Sequence, residues 1–474
     1  MITATSCLTT LRPALVGRVK RFSCQLHHRH FNTASPKFQQ SSQIEKEQDT
    51  PTTVSSRRQI QHDSVLAQIR KFEHLTPQQL DRKGHKTANL EDKLNATETL
   101  PQWQILVSKK TILKDLVDEY EKKGKTVFKK RNGKLKFFKW AILQYRWLKN
   151  YLLFFKLGIT NVWHTHRYVC KNIYHGQLYI VDTSLNASDR IFKSKKVAVR
   201  KSNLDAVLDE AANGVRLAEN ECVVKNVGFW DGLQGNINKD DVHDGLIALT
   251  RSDFQRIIRE KRDWIRLPLF ALLFALIEEV TVLFYFVIPT FMPTTCVFPN
   301  FSRWLFSKAE FAQLNLQVLG RGDNSKISWE DACHKNPYTM DSTELRQVCD
   351  MLLIEKGIPL FATDDSLREK LLKRYKEILI DDYLILRDGG VNQLNKLELF
   401  DACTKRGLID YQEILALLDV VEDAKFFDNL NEEKMRDLLI RFIVDFAKRE
   451  NNVGLLGAYT TVDQLVERRM LISK

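Results

Sequence analysis

Residues 267–293 read LPLFALLFALIEEVTVLFYFVIPTFMP, and no other segment of the chain is both as long and as apolar. These 27 residues carry only two charges, the adjacent Glu278 and Glu279. A helix rises about 1.5 Å per residue, so roughly 20 apolar residues cross a hydrocarbon core of about 30 Å. The sequence therefore predicts a single transmembrane helix over 267–293, with soluble parts on either side. Pro268, Pro289 and Pro293 bracket the stretch. Pro289 is expected to kink its exit, because proline removes a backbone donor. A central carboxylate costs about 2.5–3.5 kcal/mol on insertion scales. Two such residues side by side have two readings, handling protons or cations, or holding helices together by hydrogen bonds.

The surroundings of this stretch set the compartment. The first 44 residues contain no Asp or Glu but include Arg12, Arg18, Lys20, Arg21, Arg29 and Lys37. Leu8, Leu11, Leu15 and Val19 recur at helical spacing among them. An acid-free amphipathic start of this kind is the make-up of a mitochondrial transit peptide, expected over 1–31. With the internal span, the expected destination is the mitochondrial inner membrane. The eight cysteines form no CxxC pair, which argues against a disulfide or zinc framework. A net charge of +13 points to anionic partners, nucleic acid or acidic lipid. Residues 32–100 are polar and lack a sustained apolar period, so they read as disordered linker.

Residues 101–248 form a basic amphipathic region with an insertion. Eleven Lys or Arg and no acid lie between Lys122 and Lys149. A two-faced helix is predicted over 137–163. Lys139, Arg146, Lys149 and Lys156 share an arc of about 100° on it, and most of the remaining surface is apolar. Such a helix lies in a membrane interface with its cations at the headgroups or packs on partner helices, with direct RNA binding the weakest reading because its aromatics do not alternate with the basic residues. His164, His166, Cys170 and His175 match no common zinc spacing, and no metal is expected there. Residues 187–240 read as a small insertion with turn signals and no assignable chemistry. The run from Asp240 to Gly245 fails as a calcium loop, because position 3 is Val242 and position 12 is Arg251.

Residues 249–266 predict a basic juxtamembrane helix, with Thr250 as N-cap and Asp253 three residues on. Arg251, Arg256, Arg259 and Arg262 are expected at lipid headgroups or on a solvated basic face. Residues 300–474 predict an all-helical soluble domain from apolar spacing such as Leu345-Val348-Met351-Leu352 and Met435-Leu438-Leu439-Phe442. An internal echo pairs Glu344-Leu345-Arg346-Gln347-Val348-Cys349 with Glu398-Leu399-Phe400-Asp401-Ala402-Cys403, each followed by a glycine, Gly357 and Gly407. The fold class expected is mainly α.

Several of these residues carry a resemblance. Asp381-Asp382-Tyr383-Leu384-Ile385, Gly389-Gly390-Val391, Leu397-Glu398-Leu399, Ala402-Cys403 and Arg406-Gly407-Leu408 resemble the core motif of the LETM family. Those are mitochondrial inner-membrane proteins named for a leucine zipper, an EF-hand and a transmembrane segment. Leu249-Thr250-Arg251, Arg266-Leu267-Pro268, Phe270, the mid-span acid, Pro289 and Met292-Pro293-Thr294-Thr295 follow the family's order. The chain departs from it in lacking the zipper and the EF-hand and in carrying the 187–240 insertion. The resemblance implies K⁺/H⁺ exchange and volume control, a ribosome-binding-like domain over 300–474 in the matrix, and Glu278 or Glu279 as the intramembrane acid. Lysine and arginine density would instead put the N-terminal side in the matrix.

The leading expectation is a role in K⁺/H⁺ exchange across the inner membrane. One helix alone cannot line such a path, so a homo-oligomer is implied. The alternative is a membrane-anchored receptor of the mitochondrial ribosome that assists translation or insertion of mitochondrially encoded proteins. Inner-membrane lipids are expected partners in both. No P-loop, GxGxxG after a strand, GxSxG or HExxH is present, so neither an enzyme nor a cofactor is expected.

Overall fold

The computed structural model describes residues 92–122, 137–174, 176–181, 194–224, 247, 249–276, 292–322, 335–355, 363–448 and 453–456. All of them fall in the compact unit Thr50–Lys474. They are mainly helical, as the periodicities predict. In chain order the helices are α1 (Lys109–Lys122), α2 (Phe137–Asn172), α3 (Leu204–Val224), α4 (Arg251–Leu276), α5 (Pro299–Gly322), α6 (Ser342–Met351), α7 (Asp364–Asp388), α8 (Lys396–Arg406), α9 (Tyr411–Val420) and α10 (Glu432–Lys448). One antiparallel pair interrupts them, β1 (Gln177–Val181) with β2 (Ser194–Ala198), in the register Gln177↔Ala198 to Val181↔Ser194. The 187–240 insertion thus supplies β2 and α3. Asp205 of α3 pairs with Lys261 of α4 and, at 3.0 Å, with Lys373 of α7.

Helix α4 packs against α2 and α7. Thr250 caps α4 as expected: its hydroxyl accepts from the Asp253 N–H at 3.2 Å and donates to the Asp253 carboxylate at 2.8 Å, so the carboxylate returns to the hydroxyl and not to the backbone N–H of a capping box. The helix then passes through position 266 and through Pro268 to Leu276, so the expected juxtamembrane and membrane parts are continuous. Helix α2 runs antiparallel to it. Phe155 meets Phe270, Trp163 meets Trp264, and His166 stacks on Trp264 with ring centroids 3.5 Å apart. His166 Nδ1 lies 2.6 Å from Glu260, whose other oxygen accepts from the Tyr174 hydroxyl at 2.8 Å.

The single transmembrane helix expected over 267–293 is unconfirmed. Among the described residues no helix is long and apolar enough to cross a membrane. The flanks of the stretch also meet. Arg266 donates to the carbonyl oxygen of Met292 at 3.2 Å, and Asp263 accepts from the backbone N–H and hydroxyl of Thr294 at 2.9 and 2.7 Å. A straight 27-residue helix would hold its ends roughly 40 Å apart. Glu278, Glu279 and Pro289 lie outside the described residues, as do the expected transit peptide and most of the linker. Pro293 is extended and precedes a short 3-10 turn at Thr294–Cys296.

The linker expectation is corrected at its C-terminal end. Leu94, Ala96, Leu100 and Trp103 are buried. Asn95 fastens that segment to the domain, donating to the Gln393 carbonyl at 3.1 Å and accepting from the Asn395 N–H at 3.0 Å.

The internal echo has a structural basis. Leu345, Cys349, Leu399, Ala402 and Cys403 are all buried, each in a short helix that ends in the same way. The carbonyl of Cys349 accepts from Ile354 N–H, and that of Cys403 accepts from Leu408 N–H. The residue between is left-handed in both, Leu353 (φ 53°) and Gly407 (φ 69°). The counterpart of Gly407 is therefore Leu353. Gly357 lies outside the described residues.

Candidate functional site

The inward face of α4 presents Arg251, Gln255 and Arg259, spaced four residues apart and so stacked one turn above another. All three are buried, which corrects the expectation that Arg251 and Arg259 meet lipid headgroups. Burying a guanidinium is expensive unless it is paired, and here each cation meets carboxylates. Arg251 Nε donates to Asp381 at 2.8 Å, and its Nη1 donates to the Leu94 carbonyl at 2.7 Å and to Glu398 at 3.2 Å. Its backbone N–H donates to the Asp388 carboxylate at 2.8 Å, which places a negative charge on the N-terminus of α4.

One turn on, Gln255 donates to Asp381 and accepts from Lys405, both at 2.8 Å. Arg259 then grips Glu398 with both terminal nitrogens at 2.7 and 3.0 Å and reaches Asp401 at 2.7 Å and the Thr99 hydroxyl at 2.7 Å. Glu398 also accepts from the Ala96 N–H at 3.1 Å. From α8, Arg406 donates to Asp381 at 2.7 Å and to Asp382 at 2.6 Å, and Lys405 pairs with Asp401 at 2.6 Å.

Four cations, Arg251, Arg259, Lys405 and Arg406, therefore face four carboxylates, Asp381, Asp382, Glu398 and Asp401. The lattice joins α4 to α7, α8 and the 94–99 segment. Its electrostatics are uneven. Burial alone would raise all four acids. Arg251 and Arg406 outweigh it at Asp381, and Arg259 with Arg251 at Glu398, so both carboxyls are held below their usual range. Lys405 and Arg259 do the same for Asp401. At Asp382, burial and the neighbouring Asp381 win over Arg406 and raise the pKa to about 6. Its Oδ2 is buried without a hydrogen-bond partner, as is Nη2 of Arg251. Burial brings Lys405 down to about 8, with Asp401 opposing it.

The other cations expected at lipid or ribosome are more open. Arg256 pairs with Glu98 at 2.7 Å and Asp253 at 3.1 Å, and its guanidinium lies 4.8 Å from the centre of the Tyr168 ring. Arg262 donates to the Thr294 hydroxyl at 2.6 Å. Arg146 pairs with Glu119 at 2.6 Å, and Lys149 is exposed. Lys139 falls in the first turn of α2, and its side chain is outside the described residues. Among the described residues no three His, Cys, Asp or Glu side chains form a group that could hold a metal ion.

The sequence singled out Asp381, Asp382, Glu398 and Arg406 as one motif block and Arg251 as part of another. Their meeting is what the fold adds. Asp401, Lys405 and the 94–99 segment were missed, because their partners lie on other elements and no spacing announces them. A family model of the PNT1 pentamidine resistance factor domain matches residues 217–388, just over a third of the chain. That match contains Arg251, Arg259, Asp381 and Asp382 and ends before Glu398. No curated protein and no solved structure matches the chain. The matched segment is thus similar to a pentamidine resistance factor domain.

Proposed function

We propose that the chain is a mitochondrial inner-membrane protein that holds a helical domain at the membrane as a receptor for the mitochondrial ribosome. It would assist translation or insertion of mitochondrially encoded proteins. The observation that carries this reading is the contact of Arg266 with Met292, which brings together the two flanks of the apolar stretch. Flanks that meet in this way suit an anchor better than a conduit. The buried lattice supports the same reading, since it fastens the anchoring helix α4 to α7 and α8. Those helices carry the likeness to the LETM family, whose matrix domain contacts ribosomes. No reaction and no cofactor belong to this reading.

K⁺/H⁺ exchange is the second reading. It is favoured by Glu278 and Glu279 inside the apolar stretch, and it requires a homo-oligomer to line a path. Two experiments separate them. Co-sedimentation of the protein with mitochondrial ribosomes, lost as salt is raised, supports the receptor; its absence at low salt rejects it. Swelling of mitochondria in potassium acetate reports K⁺/H⁺ exchange. Under the receptor reading, Glu278→Gln with Glu279→Gln swells like wild type, whereas under the exchange reading it behaves like a deletion.

A further inference from the structure

Helix α2 contains no Asp or Glu in its 36 residues. One face is buried, with Leu143, Phe154, Phe155, Val162 and Val169 inside. At about 100° per residue, Tyr145, Lys149, Lys156, Trp163, Arg167 and Lys171 fall in an arc of about 80° on the opposite side. All six are exposed. The cation arc expected up to residue 163 therefore continues for two more turns, because the helix runs on to Asn172. The stripe extends about 39 Å along the helix, with Trp163 set between the cations and Tyr145 at its N-terminal end.

We propose that this face of α2 rests on a surface of anionic phospholipid, with the cations on headgroup phosphates and Tyr145 and Trp163 at headgroup level. The inference rests on the membrane-anchored reading. Charge complementarity demands a polyanion, and the neighbouring exposed residues decide which. Leu148 and Leu153 are exposed on α2, and on the adjoining α4 so are Ile265, Pro268 and Leu272, where that helix enters the apolar stretch. Aliphatic side chains gain from the acyl boundary and gain nothing from a phosphodiester backbone. Trp and Tyr prefer the same depth.

The test is flotation of the full chain with two kinds of vesicle, phosphatidylcholine alone and phosphatidylcholine with one-fifth phosphatidylglycerol. Wild type is compared with the combination Lys149→Glu, Lys156→Glu, Arg167→Glu and Lys171→Glu. Both proteins should bind neutral vesicles alike, through the apolar stretch. Anionic lipid should strengthen binding of wild type by roughly tenfold or more, an increment abolished by high salt. The variant should show no increment. The corresponding four glutamine substitutions should give the same loss, which guards against a helix perturbed by charge reversal.

An increment that survives in both variants overturns the proposal. So does a variant that keeps the lipid increment but loses binding to a labelled RNA duplex, which would make the face a nucleic-acid surface. Failure of both proteins on neutral vesicles overturns the membrane reading itself, and with it this inference.

Discussion

Arg259 holds Glu398 through two parallel hydrogen bonds at 2.7 and 3.0 Å, in the buried layer between α4 and α8. The pair is bidentate and sealed from water. A buried ion pair adds little net stability compared with a well-packed apolar pair, yet removing one partner leaves the other charge stranded. Glu398→Ala is therefore expected to destabilise the protein by about 3–5 kcal/mol, read as a shift in the urea midpoint. Arg259→Met combined with Glu398→Leu should cost clearly less than Glu398→Ala alone. A double variant as unstable as the single one would show that the lattice is not the joint described here.

The lattice also predicts a dependence on pH, with opposite signs for its members. Asp382 has its pKa raised in the fold from 3.8 to about 6. Its contribution is fully present below pH ~4 and is lost as pH rises through 6, a change of about 3 kcal/mol at 1.36 kcal/mol per unit. Asp381, Glu398 and Asp401 are shifted down, so their contribution is present above the normal carboxylate range and fades as pH falls below it. Asp382→Asn keeps an acceptor for Arg406 and removes the titration. Between pH 4.5 and 7 the wild type should lose stability relative to this variant. Parallel unfolding curves at the two pH values would contradict the assignment.

Gly407 closes α8 with φ 69°, and a Cβ there would stand 2.6 Å from the Leu456 carbonyl oxygen. Gly407→Ala should therefore cost more than the roughly 1–2 kcal/mol of a left-handed residue alone. Thermal unfolding reads this directly. A melting temperature equal to wild type would mean that residues 453–456 do not pack on this turn.

The sequence exposed what is local and hid what is long-range. Apolar spacing revealed helices such as α2, α6 and α10 but not α3 or the β1–β2 pair, and Thr250 with Asp253 marked the start of α4, since these signals sit within a turn or two of the chain. Length and hydropathy of 267–293 were equally visible, yet they describe how much membrane a segment could cross and not where its ends return. That depends on Asp263 meeting Thr294, a contact no periodicity encodes. The arginines of α4 were found but aimed outward, because a basic helix beside an apolar stretch fits headgroups until its carboxylates, well over a hundred residues away, are located. The segment around Leu94 and Ala96 gave no signal at all, being irregular and held mainly by Glu398 and Asn395.

The most direct test concerns the sides on which the flanks of the apolar stretch lie. Charge density assigned the N-terminal part to the matrix and family likeness assigned the C-terminal part there, which conflict for a single pass. Under the proposed anchoring, with Arg266 against Met292, the two assignments would agree. Lys110→Cys and Val420→Cys place reporters on exposed positions before and after the stretch. Each is labelled in mitoplasts with a membrane-impermeant maleimide, before and after detergent, and read as the increment over wild type. The account predicts the same behaviour for both, with protection until detergent is added. One reporter labelled in intact mitoplasts while the other stays protected would contradict it and restore the single transmembrane pass.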